Sequence, residues 1–211
     1  MHKKLGLGLL SLILLVGCAG QETTPVQAPL YVFEENQHYT QLAQPLPEGV
    51  APVLEYFYYG CTTCYQLTDA ITQWSQSEAV ALGRVPVHSQ TDLVDAARIF
   101  HTLAVIGEQA KYSIGYQMFQ AQNTSLQGAD RINAFLQQYA VDPQAFWEAW
   151  GSEAVERRLI GSYMLTQLAA IQSTPAFVVQ GRYKVELPVI ESVDELFALL
   201  SYLNQKTLSD D

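Results

Sequence analysis

Basic residues are scarce in this chain. Its 211 residues include 11 lysines and arginines against 21 aspartates and glutamates, a formal charge of −10 and a pI near 4.7. No basic stripe is left to neutralise a row of phosphates, which argues against a nucleic-acid partner. Metal ligands are as thin: the chain has four histidines and three cysteines. A structural zinc takes four ligands, usually two cysteine pairs or a pair plus two histidines. His38, His88 and His101 stand at no such spacing, so neither a metal nor another cofactor is expected. Long apolar runs are also rare. Only Leu5–Val16 is nearly continuous, and it is shorter than the roughly 20 residues that span a bilayer. What the chain does hold is core material, 49% hydrophobic and 11% aromatic, enough for one domain or one domain with a large insertion.

Lys3 and Lys4 precede the apolar run and small residues follow it. That is the pattern of an export signal over residues 1–17. "LLVGC" (Leu14–Cys18) resembles the lipobox of bacterial lipoproteins. The resemblance implies cleavage before Cys18, lipidation of that cysteine and, because Ala19 rather than aspartate follows, sorting to the outer membrane. A plain signal peptide with an incidental cysteine is the alternative. Removing Met1–Gly17 takes away two lysines and brings the formal charge from −10 to −12. Export also places the remaining pair, Cys61 and Cys64, in an oxidising compartment. Residues 18–30, rich in Thr, Gln and Pro, read as a tether.

The order of elements beyond the tether predicts an α/β fold. Tyr31–Leu46 holds at most an edge strand. Val53–Tyr59 ("VLEYFYY"), bounded by Pro52 and Gly60, reads as a buried strand, Thr62–Ser75 as a helix and Leu82–His88 as a second strand. From about Thr91 to Ile171 apolar residues recur at helical spacing. Leu93, Ala97, Phe100 and Ala104 form one stripe and Ile99, Leu103 and Ile106 another, so this helix is largely buried. Asp130–Tyr139 and Val155–Ile171 read as further helices, with Gly107, Gly128 and Asp142-Pro143 as breakers. "STPAFVVQGRYKVEL" predicts strands at Ala176–Val179 and Arg182–Leu187 joined by a two-residue turn at Gln180-Gly181. Val193–Gln205 predicts a last helix.

The C-x-x-C pair falls where the first long strand hands over to its helix. A structural staple is one reading, although a two-residue loop removes little chain entropy. A redox pair explains the position better. A helix N-terminus offers unpaired N–H groups and the positive end of the helix dipole, which favour a thiolate at Cys61. Cys64 lies one turn on, on the same face, close enough to close a disulfide.

The stretch "ENQHYTQLAQPLPEGVAPVLEYFYYGCTTCYQL" resembles the start of a DsbA-type thiol:disulfide oxidoreductase: an acidic residue within the strand, aromatics before the motif and "CYQ" after it. "STPAFVVQGRYKV" resembles that family's cis-proline loop and hairpin. The resemblance runs through nearly all of the chain after the signal. It implies a thioredoxin fold, residues 31–89 and 172–206, with an inserted helical domain at 90–171. It implies Cys61 and Cys64 as the redox disulfide, Pro175 as the cis-proline with Thr174 turned toward the cysteines, Glu55 as proton acceptor for Cys64, and Arg84 as the partner of Glu55 in place of a family lysine. Exported cysteine-containing proteins are the implied substrates, and a DsbB-like quinone-linked membrane protein the implied redox partner. No room remains for the dimerisation domain of dimeric members, so a monomer is expected. One departure matters. The family usually has Pro-His between its cysteines, and this chain has Thr62-Thr63, whose hydroxyls donate only weak hydrogen bonds to sulfur. The oxidant is therefore expected to be weaker. The same chemistry run as a reductase or isomerase, and a non-catalytic peptide- or partner-binding lipoprotein, stay open. Elsewhere His101 reads as a core histidine, His88 as exposed, Trp74, Trp147 and Trp150 as core, and Tyr58 or Tyr59 as available to line a groove.

Overall fold

The computed structural model describes residues 31–88, 93–121 and 127–206. The signal, Cys18 and the tether lie outside the described residues. The rest follows the order β1 (Tyr39–Gln41), β2 (Val53–Phe57), α1 (Thr62–Ser77), β3 (Leu82–Pro86), α2 (Val94–Val105), a 3-10 turn (Gln109–Ser113), α3 (Ile114–Ala121), α4 (Ala129–Gln138), α5 (Pro143–Trp150), α6 (Glu153–Leu168), β4 (Ala176–Val179), β5 (Tyr183–Val185), a second 3-10 turn (Leu187–Val189) and α7 (Val193–Gln205). The five strands make one mixed sheet in the order β1-β5-β4-β2-β3, in which only β2 and β3 run parallel.

β2 lies between β3 and β4 and all five of its residues are buried, which is why its sequence shows no polar alternation. Its two faces serve different cores. Val53 packs with Phe177 and Val179 beneath α1 and α7, whose buried positions Leu67, Ile71 and Trp74, and Leu196, Leu199, Leu200 and Leu203, recur at helical spacing. Leu54 and Tyr56 face the other way, with Val85 and Val178, onto Leu165 and Ala169 at the end of α6. Phe57 reaches past the sheet into an aromatic core shared with α2 through α5, including Tyr59, Tyr116, Phe135 and Phe146. One strand thus ties the sheet to the helical block.

The helices start where their capping residues stand. Asp142 accepts from the backbone N–H groups of Gln144 and Ala145, with Pro143 in the first turn of α5. Ser152 caps α6 and Ser192 caps α7. α6 ends at Leu168, short of the expected Ile171, because Ala170 takes a positive φ of 48°. The hairpin strand expected over Arg182–Leu187 is trimmed to Tyr183–Val185, and pairing of Val179 with Tyr183 leaves three residues between the strands rather than two. Gln180 and Gly181 both adopt positive φ there.

Candidate active site

β2 ends at Phe57 and three residues, Tyr58, Tyr59 and Gly60, carry the chain to Cys61. A Cβ on Gly60 would stand 2.5 Å from the Tyr58 ring, so a larger residue there would force that ring to move. Cys61 is the N-cap of α1, and its sulfur accepts a hydrogen bond from the backbone N–H of Cys64 at 3.1 Å. The two cysteines form a disulfide, with their Cα atoms 5.2 Å apart. Cys61 is 5% exposed and Cys64 0%. Of the two, only Cys61 keeps any exposure. A reduced Cys61 would keep the Cys64 N–H and the helix terminus as its anion stabilisers.

The Thr174–Pro175 peptide is cis. Thr174 and Pro175 line a groove of about 550 Å³ together with Thr63 and Leu67 of α1 and with Leu187 and Ile190. Thr63 of the motif and the proline bend, 111 positions apart in the sequence, thus share one apolar concavity. Thr62 and Thr63 are both exposed. The Thr62 hydroxyl donates to Oε1 of Gln120 on α3 at 2.9 Å, and Gln120 Nε2 donates to the Tyr59 carbonyl at 3.3 Å. That hydroxyl is committed to α3 rather than to sulfur, a correction to the role expected of it.

Glu55 is 1% exposed and sits on the α1 side of β2. Its register partner on β3 is Arg84, whose Nε donates to Glu55 Oε2 at 3.1 Å. Burial raises the Glu55 carboxyl above its ordinary value, and the Arg84 charge and hydrogen bond oppose that rise without cancelling it. The Arg84 guanidinium lies 4.4 Å from the centre of the Tyr112 ring, and its Nη2 donates to the Thr72 hydroxyl at 2.8 Å. Desolvation by burial pushes the Tyr112 phenol up to about 12 and Tyr116 higher still, so both rings stay neutral around the carboxylate.

The sequence pointed to Cys61, Cys64, Thr174, Pro175, Glu55 and Arg84; the fold joins the cysteines at the start of α1, sets Thr174 and Pro175 in one groove with Thr63, and pairs Glu55 with Arg84 against Thr72 further along α1. Nothing in the sequence hinted at Gln120 or Tyr112, which arrive from the helical block. Thr68 and Thr72 were visible as an i, i+4 series following Cys64. His88 departs from expectation: it is half-buried, with Nε2 3.1 Å from the Leu159 carbonyl and 3.1 Å from the Ser162 hydroxyl. The latter is also 3.0 Å from His101 Nε2. His101 is buried, as expected of a core histidine, and Trp74, Trp147 and Trp150 pack in the cores. Neither Tyr58 nor Tyr59 lines the groove; Tyr59 packs edge-on against Phe57 and Tyr116.

Residues 53–204 match the family model described as DSBA-like thioredoxin domain. Among curated proteins, the chain is similar to a thiol:disulfide interchange protein DsbA of Burkholderia cepacia. The two are 29% identical over 160 residues, covering 74% of this chain and 76% of the relative. Among solved structures, the crystal structure of Pseudomonas aeruginosa DsbA superposes with a TM-score of 0.75 at 23% identity, covering 82% of this chain and 93% of the other. A Proteus DsbA solved with a non-covalently bound peptide, PWATCDS, gives 0.71 at 20% identity, with coverage of 83% and 98%. At these identities the structures speak to the fold.

Proposed function

The chain belongs to the DSBA-like thioredoxin domain family and is a thiol:disulfide oxidoreductase, and from that premise we propose that its Cys61–Cys64 disulfide oxidises the thiols of exported proteins in the periplasm. A substrate thiolate attacks Cys61 Sγ, the bond to Cys64 breaks, and Cys64 departs with the electron pair. A second substrate thiolate then attacks the substrate sulfur of the mixed disulfide and releases Cys61. The substrate has lost two electrons and two protons, and the pair has become a dithiol. The observation that carries this reading is the Cys61–Cys64 disulfide at the N-terminus of α1, where Cys61 is 5% exposed and Cys64 0%, with Thr63 of the motif lining one groove with Thr174 and Pro175.

Glu55 is assigned the proton traffic of Cys64. As a carboxylate it takes the thiol proton when the pair is reoxidised. Thr174 is assigned the alignment of an extended substrate backbone, because it lines the groove with Thr63 of the motif. Reoxidation falls to a DsbB-like membrane protein. The division into residues 31–89 with 172–206 as the thioredoxin part and 90–171 as the inserted helical part belongs to the same reading. So do the 1–17 signal, lipid attachment at Cys18 to the outer membrane, and a monomeric state.

Thiol trapping tests the mechanism. Cys64→Ala is expected to accumulate mixed disulfides through Cys61, and Cys61→Ala to accumulate none; an empty trap in the first variant refutes exchange. The direction is read from equilibrium with a glutathione buffer. A potential near thioredoxin's, roughly −270 mV, favours the reductase reading, to which the engagement of the Thr62 hydroxyl with Gln120 lends weight.

A further inference from the structure

Beneath the disulfide, α1 carries a ladder of side-chain hydrogen bonds. The Thr68 hydroxyl donates to the Cys64 carbonyl at 2.9 Å, and the Thr72 hydroxyl to the Thr68 carbonyl at 2.6 Å. With its proton so committed, the Thr72 oxygen is left to accept, and what it accepts is Nη2 of Arg84. The same guanidinium gives its Nε to Glu55. Arg84 is thus held on three sides: by Glu55 along the sheet, by Thr72 on α1 and by the Tyr112 ring. A lysine, with one compact ammonium, could not span these partners in one plane. Arginine also keeps its proton, so Glu55 is the member of the pair that titrates.

We propose that Thr72 is the positioning residue of this pair: its hydroxyl holds Arg84 against Glu55 and thereby sets the pH at which that carboxylate can take the proton of Cys64. The proposal deepens, and rests on, the reading of Glu55 as proton acceptor. The titratable and charged groups around Glu55 are Arg84 from β3 and Tyr112 and Tyr116 from the segment after α2, with Asp69 of α1 at the rim of the adjoining cavity. β4 contributes only Phe177 opposite Glu55. That cavity, about 480 Å³, is lined by Thr72, Arg84 and Tyr112. It gives the guanidinium somewhere else to go. Without the Thr72 acceptor, Nη2 turns toward water in the cavity and Nε loosens its hold on Glu55.

The step to be measured is resolution of a glutathione mixed disulfide on Cys61 of the full chain. Cys64 loses its proton to Glu55, its thiolate attacks Cys61 Sγ, the Cys61–Cys64 bond forms and glutathione leaves as the thiolate. The rate is followed against pH by glutathione release. In Thr72→Val, which keeps the shape and removes the acceptor, the inflection is expected to rise by about one pH unit, so that resolution below it slows roughly tenfold. Thr72→Ser is expected to restore the wild-type profile. A purely structural role would lower thermal stability and leave the inflection in place. Thr72→Val tracing the wild-type profile, while Glu55→Gln abolishes the inflection, overturns the proposal alone. An unchanged profile in Glu55→Gln overturns the proton-acceptor reading, and the proposal with it.

Discussion

Replacing Arg84 with methionine separates the charge of Glu55 from everything else on its strand. Methionine keeps much of the contact with Tyr112 and removes the one cation at 3.1 Å from a carboxylate that is 1% exposed. Glu55 can then remain charged and buried, or it can take a proton, and the second route caps the penalty. Neutralising a carboxyl whose ordinary value is 4.5 costs about 1.4 kcal/mol for each pH unit above it. The ceiling is therefore roughly 4 kcal/mol at pH 7.5 and under about 1 kcal/mol at pH 5. The sign follows from linkage. A carboxyl raised in the folded state is no burden below its unfolded value and costs stability as pH rises toward its folded value. Urea unfolding of Arg84→Met is expected to show a loss of roughly 3 kcal/mol at pH 7.5 that shrinks to about 0.5 kcal/mol at pH 5. Adding Glu55→Gln is expected to remove the pH dependence. Equal losses at both pH values would mean that Arg84 does not hold a buried carboxylate, and the assignment of Glu55 to proton traffic would lose its physical basis.

Three further outcomes follow from other parts of the structure. His101 is pushed down to about 3, first by burial and then by the charges of Arg158 and His88; a histidine lowered in the folded state costs stability as pH falls below its unfolded value of 6.5. The protein is expected to be roughly 3 kcal/mol less stable at pH 4 than at pH 7 through this group, with His101→Gln flattening the urea-midpoint profile. In Gly115→Ala the new Cβ would stand 2.5 Å from the buried Tyr59 ring. A loss of about 1–3 kcal/mol by thermal unfolding is expected, and an unchanged midpoint would show that α3 can slide away from the motif. Introducing Pro-His through T62P and T63H breaks the link to Gln120 and sets a cationic donor beside Cys61. The glutathione equilibrium should then move toward the reduced pair, and no movement would disconnect the dipeptide from oxidising strength.

Much of the architecture was legible because its elements satisfy themselves locally. The apolar run that holds Val53–Phe57, the apolar spacing in α1 and α7 and the breaker at Asp142-Pro143 each show in a few consecutive residues what they will form. The cysteine pair was legible for the same reason, since C-x-x-C spacing and a strand-to-helix junction are both short-range facts.

What lay beyond reading was anything that needed two distant segments to meet. Cys61 shares its buried cluster with Tyr116 and Met118 of α3. The groove exists because the Thr174–Pro175 bend and the turn before α7 come to lie against the first turns of α1. Glu55 could be read as buried, but its state depends on parallel pairing that sets Arg84 opposite it, on Thr72 one helix away and on Tyr112 from the helical block. A pattern of hydrophobicity records which face of a segment avoids water. It carries no record of which side chain from elsewhere meets a buried charge, and for Glu55 that partner comes from another strand.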